Sequence, residues 1–343
     1  MPASTIIPQH HPFVKTVARA LRRRCGVEGG STILAAVSGG ADSVALIRIL
    51  ASLGPRRRWR LNLIIGHVQH HLRSNHDAEG DARFVEELAD RLELPFIRSD
   101  LDLSGRSGNV EANARRARYN ALSEMARNVN AAFIATAHHG DDQLETLLMR
   151  MLRGASVHGL AGMAWRRRLH CEGDVWLIRP MLAVDRWSIL AFLNDLDQLW
   201  RQDHTNADIT RLRAHLRHKV LPSLHAVNEK VAQRAVATAD HLRGIAELLD
   251  QTVSLAADRV VRDEKSLMIN RAEIRTQSQV VLLSLLRRLL IEAGVGPDSV
   301  SRRTLYRIVA AIQDQQGGDR RFDFSGGVIV VIDRDTVRIK VRQ

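Results

Sequence analysis

Residues 33–47, ILAAVSGGADSVALI, constrain this chain more than any other stretch. The apolar run 33–37 has the length of a buried strand and stops at a turn signal. Ser38, Gly39 and Gly40 supply the turn, and Ala41, Asp42 and Ser43 open an apolar run suited to a buried helix. Two glycines let the backbone turn tightly and approach a ligand without Cβ interference. The turn amides and the helix start converge on one point, where the helix dipole favours an anion. Ser38 and Ser43 add hydroxyl donors. Asp42 conflicts with a phosphate there, because like charges repel. A bound cation, Mg2+, resolves the conflict and makes Asp42 the expected metal ligand. The loop lacks the Gly-Lys-Ser/Thr ending of a P-loop and the Gly-x-Gly-x-x-Gly spacing of dinucleotide folds. A tight turn with no ligand is the plain alternative.

The strand–helix alternation recurs along the chain. Strands are expected at 61–68, 95–99, 132–137 and 176–180, and helices at 13–24, 77–92, 110–128 and 185–196. The implied fold is α/β, a mostly parallel sheet with helices on both faces. Ligands in such folds gather at the carboxyl ends of the strands. Stretches 38–43, 67–73 and 138–145 each begin where a strand ends. His67, His70 and His71 invite a zinc reading, but no Cys, Asp or Glu completes a set within that run.

The third stretch is richer. Leu144, Leu147, Leu148 and Met151 form a helical stripe, and Asp141 and Glu145 lie one turn apart at its flank. Paired carboxylates there suit Mg2+ binding or removal of a proton from an amine. A capping Asp and a solvated Glu145 in the first turns are the competing reading. On the expected helix 110–128, Glu111, Arg115 and Arg118 share a face. They read equally as a surface ion pair or as cations beside phosphate or RNA. A Gly-rich loop, 153–163, precedes Arg166, Arg167 and Arg168.

Past 196 the pattern changes. A polar turn at 203–208 leads into Arg211, Arg213, Arg217, His218 and Lys219, which run up to Pro222. Helices are expected at 224–262, 279–293 and 301–314, and a hairpin at 328–341. The expected division is therefore a catalytic α/β domain, 1–222, and a smaller, mainly helical domain, 223–343, ending in the hairpin. The formal charge of +12 calls for a polyanionic partner, nucleic acid before membrane. Aromatics are only 4%, which weighs against stacking bases along a single strand. No apolar run reaches membrane length, and the N-terminus lacks the pattern of a signal peptide. Cys25 and Cys171 form no Cys-x-x-Cys, which fits a reducing cytoplasm.

Ser-Gly-Gly-x-Asp-Ser after a strand resembles the PP-loop of the N-type ATP pyrophosphatases. The chain as a whole is similar to the tRNA(Ile)-lysidine synthetase family, strongly over its first two-thirds. Matching blocks are 38–43, 67–73, 114–119 (ARRARY), 136–146 (TAHHGDDQLET), 153–163, 179–180 and 203–222. The chain departs from the family pattern at His71 (usually Gly), Gln69 (Asp or Asn) and Ala214 (Asn). The resemblance implies ATP as substrate with Mg2+, free L-lysine, and a tRNA(Ile) with a CAU anticodon. The wobble cytidine would be adenylated at its C2 oxygen, and lysine would then displace AMP to give lysidine. It implies ATP contacts from Ser38, Gly39, Gly40, Ala41, Asp42 and Ser43, and catalytic roles for Asp42, His138, Asp141, Asp142 and Glu145. It places Arg115 and Arg118 on phosphate or RNA, while Arg211, Arg213, Arg217 and Lys219, at the junction of the two expected domains, are expected on the phosphates of the tRNA. A homodimer stays open. The rivals are a PP-loop tRNA thiolase, which needs Cys-x-x-Cys pairs, an amidotransferase-type synthetase, and a non-catalytic RNA-binding protein on the same fold.

Overall fold

Strand β1 (Thr32–Ala36) is buried along almost its whole length, and the first sheet is arranged around it. Ile33 and Ala35 enter one core and Leu34 and Ala36 the other, so β1 has no solvent face. That is why it reads as a continuous apolar run. The computed structural model describes residues 7, 11–70, 75–101, 110–169, 174–201, 212–263, 266–315 and 318–341. It has two compact units, Met1–Arg243 and Gly244–Gln343.

In the first unit six strands run in the order β3-β2-β1-β4-β6-β5. They are β2 (Asn62–His70), β3 (Phe96–Leu101), β4 (Phe133–Ala135), β5 (Arg166–Arg168) and β6 (Trp176–Ile178) beside β1. All pair in parallel except β5, which runs antiparallel to β6. Helices α1 (Pro12–Arg23), α2 (Ala41–Leu53), α3 (Asn75–Arg91) and α7 (Arg186–Asp195) supply one core. Helix α4 (Val110–Asn128) covers the other face through Leu122, Met125 and Ala126. Helices therefore lie on both faces, as expected. β5 escapes sequence reading because three arginines carry no apolar alternation.

The chain leaves β1 toward β2 and β3, then returns to build β4 and β6 on the other side. The connections after β1 and β4 therefore diverge, and a crevice opens between them at the strands' carboxyl ends. Helix α5 (Gly140–Leu152) follows β4, and the short α6 (Val157–Leu160) follows it. A single helical turn, α8 (Leu212–His215), passes into a π-turn (Leu216–Val220) and then α9 (Leu221–Val227). Pro222 lacks an N–H and its ring crowds the carbonyl four residues back, so the preceding turn widens. Accordingly Leu221 N–H bonds to Leu216 O, five residues back. These segments pack on α5 through Leu144, Leu147, Leu216 and Leu221.

Helix α10 (Val231–Ala257) runs across the boundary of the two units. The second unit holds an antiparallel sheet in the order β7-β8-β11-β10-β9. Its strands are β7 (Val261–Asp263), β8 (Ser266–Asn270), β9 (Arg320–Asp323), β10 (Val328–Ile332) and β11 (Thr336–Val341). The expected hairpin is present as β10–β11, and it is the middle of five strands. Of the other three, β7 and β9 are short and expose most of their residues, so they lack the pattern of a half-buried strand. Helices α11 (Arg271–Ile274), α12 (Gln279–Glu292) and α13 (Arg302–Gln313) complete the unit. Leucines of α12 and Ile308 and Ile312 of α13 share one core with Val330, Ile332, Val337 and Ile339. Buried Arg271 donates to the carbonyls of Ala311 and Ile312 at 2.9 and 3.0 Å, satisfying the end of α13.

Candidate active site

Because β1 pairs with β4, the two turns that follow them lie side by side. The turn after β1 closes on itself. Gly39 has φ +88°, a left-handed conformation that glycine adopts without strain. The Ser38 N–H donates to Ser43 Oγ at 3.1 Å, and the Ser43 hydroxyl donates to Gly40 O at 2.8 Å. Ser43 and Ala41 are buried while Ser38 is exposed, so the loop shows its hydroxyl and turn amides outward. Asp42 occupies the first turn of α2.

The turn after β4 is tighter and more polar. Gly140 N–H donates to Val184 O at 2.7 Å, and a Cβ on Gly140 would stand 3.0 Å from that oxygen, so a side chain would push the two backbones apart. His139 precedes α5, and its N–H is capped by Asp142 Oδ2 at 3.1 Å. The His139 ring is buried among carboxylates. Its Nε2 lies 3.6 Å from both Asp42 and Asp142, and its Nδ1 lies 3.6 Å from Asp141. Neither ring nitrogen makes a hydrogen bond. Burial pushes the imidazole toward neutrality, but Asp142, Asp141 and Asp42 outweigh it and raise its pKa to about 10.

Cations from later in the chain neutralise the same carboxylates. The Arg186 N–H donates to Asp141 Oδ2 at 2.8 Å, and its Nη1 reaches Asp42 Oδ2 at 3.1 Å. His225 of α9 contacts Asp141 Oδ1 at 2.5 Å. Burial raises the Asp141 pKa, but His139, His225 and the Arg186 amide bring it down to about 2. Arg217 donates through Nε to Glu145 Oε1 at 2.6 Å and through Nη2 to Asp142 Oδ1 at 2.9 Å. Arg213 Nε donates to Glu145 Oε2 at 2.9 Å. Glu145 is fully buried, which overturns the solvated Glu145 of the competing sequence reading. The apolar stripe seats α5 so closely that its flank is buried too.

His138 faces a different field. Its Nδ1 lies 2.9 Å from Thr136 Oγ1. Burial, against the pull of Asp142 and helped by Arg179, Arg115 and Arg118, lowers its pKa to about 3. Arg118 and Ser38 line one small cleft, with Val37, Gly66 and Leu122. Arg115 is exposed and rests over the Tyr119 ring at 5.1 Å. Lys219 is exposed, and Arg211, His71 and the turn 203–208 lie outside the described residues, as does the Glu111 side chain. His67 is buried with Nδ1 2.8 Å from Val37 O, supporting the loop's backbone. Among the described residues no group of three His, Cys, Asp or Glu side chains is placed to hold a metal; the His70 side chain and His71 lie outside the described residues.

The structure thus brings together Asp42, Asp141, Asp142, Glu145, Arg213 and Arg217, and sets His138, Arg115 and Arg118 beside them. Sequence reasoning missed His139 as the centre of the carboxylates, and it missed Arg186, His225 and Arg179. Only His139 had a local signal, since it lies between a strand end and an acidic helix start.

The PP-loop domain family matches residues 11–224. The tRNA(Ile)-lysidine synthase of Geobacter sulfurreducens is 39% identical over 236 residues, covering 68% of this chain and 48% of that protein. The chain thus spans about half the length of that relative. The tRNA(Ile)-lysidine synthase of Synechococcus sp. is 33% identical over 307 residues, 88% of this chain and 90% of that protein. Among solved structures, the U34-tRNA thiolase NcsA of Methanococcus maripaludis superposes with a TM-score of 0.55 at 16% identity. That likeness covers 67% of this chain and 79% of the thiolase, and it speaks to the fold alone.

Proposed function

The chain belongs to the PP-loop domain family and, within it, to the tRNA(Ile)-lysidine synthases, and from that premise we propose that it joins free lysine to C2 of the wobble cytidine of a tRNA(Ile) with a CAU anticodon, at the expense of ATP. The observation that carries this reading is the meeting of an anion-receptive loop and a buried carboxylate group at one switch point. The first suits a polyphosphate; the second suits an amine that shares the carboxylates with Arg186, His225, Arg213 and Arg217.

The reaction has two steps. The cytidine C2 oxygen attacks the α-phosphorus and pyrophosphate leaves, its charge received by the amides of the 38–43 loop. The lysine ε-amine, having lost a proton, then bonds to C2, and AMP leaves with the C2 oxygen. Lysine's ammonium groups suit a site lined by Asp141, Asp142 and Glu145. His139 is held protonated and is no proton acceptor near neutrality, and His138 is held neutral. His138 and the Asp141 carboxylate both have a free lone pair at neutral pH and both are weakened as bases, so Asp141, Asp142, Glu145 and His138 share the candidacy for the proton acceptor.

Mg2+ fits this site in a restricted way. With no three-residue cage among the described residues, it would arrive on the nucleotide's phosphates and take one carboxylate, Asp42, which is partly exposed. When bound it would screen the negative charge of the phosphates. Arg115 and Arg118 are proposed for phosphate or RNA. Arg213 and Arg217 rest on Glu145 and Asp142, so a phosphate reaching them has to displace those carboxylates. Residues 223–343 are proposed to hold the tRNA. No helix among the described residues is long and apolar enough to cross a membrane; the cytoplasm is proposed as the place of work because the proposed substrate is tRNA. A homodimer is favoured by Ile245, Leu248 and Leu255, exposed at helical spacing on α10.

Incubation with labelled lysine, ATP and a tRNA(Ile) CAU transcript should label the tRNA and release AMP, with no label on a transcript whose wobble base is uridine. AMP release without lysine transfer would discard the ligation. Thiolation is the second reading, because the NcsA fold is similar. The NcsA structure carries a 4Fe-4S cluster, whereas this sequence has two cysteines, too few for four thiolate ligands.

A further inference from the structure

β5 is three arginines in a row at the edge of the first sheet. Strand alternation sends Arg166 and Arg168 to one face and Arg167 to the other. Arg166 and Arg168 lie over Trp176 at 4.9 and 5.2 Å. Arg167 lies over Tyr119 at 5.2 Å, the ring that Arg115 also approaches at 5.1 Å. Elsewhere in this unit Arg98, Arg186, Arg201, Arg213, Arg217 and Arg243 each sit on an Asp or Glu. Among the described residues none of Arg115, Arg166, Arg167 and Arg168 has such a partner.

Edge strands commonly carry charge simply to prevent pairing with another chain. That purpose asks for charge alone and does not call for rings. A guanidinium stacked on a ring is different, because in-plane N–H donors that the fold does not use stay in the fork that matches a phosphate; Arg115 spends one on Tyr119 Oη at 3.1 Å and Arg167 one on Arg168 O at 3.3 Å, which leaves each further donors. The place of β5 also matters. Arg166 is in register with Ile178, at the carboxyl end of β6, and Ile178 O accepts from Thr136 N–H two residues before His138. Arg179 follows directly, and the fields of Arg167 and Arg115 both reach it. The arginine edge therefore continues the cationic side of the site.

We propose that Arg166, Arg167 and Arg168, together with Arg115, form a track for the phosphodiester backbone of the RNA substrate. This rests on the reading that the substrate is RNA. The test is the salt dependence of tRNA binding to the full chain, followed by filter binding over a KCl series. Each phosphate contact contributes about 0.7–0.9 to the log–log slope. R166Q and R168Q should each lower the slope by about one unit, and the triple variant R166Q/R167Q/R168Q by about two to three, with binding weakened roughly 10- to 100-fold near physiological salt. ATP binding should not change. The single variants leave two arginines on the edge, so they decide the matter even if the triple variant fails to fold. Replacement of all three by lysine should keep most of the slope yet bind more weakly.

Unchanged slopes in R166Q and R168Q overturn the track, and aggregation with unchanged slopes assigns the edge to protection against pairing. Loss of binding to phosphatidylserine vesicles with tRNA binding intact overturns it in favour of a membrane. If the wild type binds tRNA, the slopes fall as expected and lysine is not incorporated, the track stands and the ligation reading fails. If lysine is incorporated and the slopes do not move, the reverse holds.

Discussion

The turn after β1 and the turn after β4 are neighbours, yet they are held in different ways. The first is fixed mainly from within, by Ser38, Gly40 and Ser43, with the Arg201 N–H to Gly39 O at 2.9 Å added from outside. The second is fixed by His225, Arg213 and Arg217, which lie 84, 68 and 72 residues from their partners. A self-closed loop can form as soon as its strand and helix form. The carboxylate helix start is finished only when the segment beyond α7 has packed against it. The comparison teaches that anion binding is a local property here, whereas amine binding belongs to the assembled unit.

Four substitutions would break or sharpen that contrast. The largest effect is expected at Glu145→Ala, which leaves Arg213 and Arg217 without their buried carboxylate. It should destabilise the first unit by on the order of 3–5 kcal/mol in urea unfolding and reduce lysidine formation by orders of magnitude. An unchanged urea midpoint would mean that the helix start is as self-sufficient as the loop. Asp42→Asn should act on rate with little effect on stability. AMP release should fall by about 100- to 1000-fold, the scale of a lost charge contact in a transition state, while the melting temperature stays put. Wild-type turnover in this variant would remove Asp42 from the adenylation step.

His139→Gln tests the electrostatics of the second turn. The folded pKa near 10 is above the ordinary 6.5, so the stability His139 adds is fully present below pH 6.5 and fades as pH rises through 10. Urea midpoints measured from pH 6 to 10 should fall in the wild type and stay flatter in the variant. Parallel curves would show that the ring is not held charged by its three carboxylates. Asp141 works at the other end. Its pKa of about 2 is below 3.8, so its contribution holds above pH 3.8 and is lost as pH falls through 2. The smallest effect is expected at Ser43→Ala, which removes one acceptor and one donor within the loop. It should cost about 1 kcal/mol and leave lysine affinity unchanged. A marked loss of lysine affinity would mean that the two turns are coupled.

The same contrast explains what could be read in advance. The loop was legible because its partners are adjacent in sequence and the glycines mark its backbone. The strands that alternate with helices were legible because burial on both faces leaves unbroken apolar runs such as 33–37. The carboxylates were visible as residues, but their state was not. Glu145 looks solvated when only its own helix is considered, since no cation lies one turn away. Its partners are two arginines that the sequence alone suggested for phosphate. Arg186 had no local sign, because it gains its position from the packing of α7. In the second unit, β9 is the tetrapeptide Arg-Arg-Phe-Asp, which pairs with β10 through its backbone and so leaves little trace in composition.

His138 and His139 are consecutive and identical in side chain, yet at neutral pH the first is neutral and the second charged, one held down by burial and a cationic wall and the other held up by carboxylates. That makes them a pair of internal gauges with different sensitivities. An anion that offsets Arg115, Arg118 and Arg179 raises the His138 titration and hardly touches its neighbour. An amine that occupies Asp142 lowers the His139 titration. With histidine-labelled protein, the ring-carbon resonances of one NMR sample would record which charge has arrived, and thereby the order in which nucleotide and amino acid load.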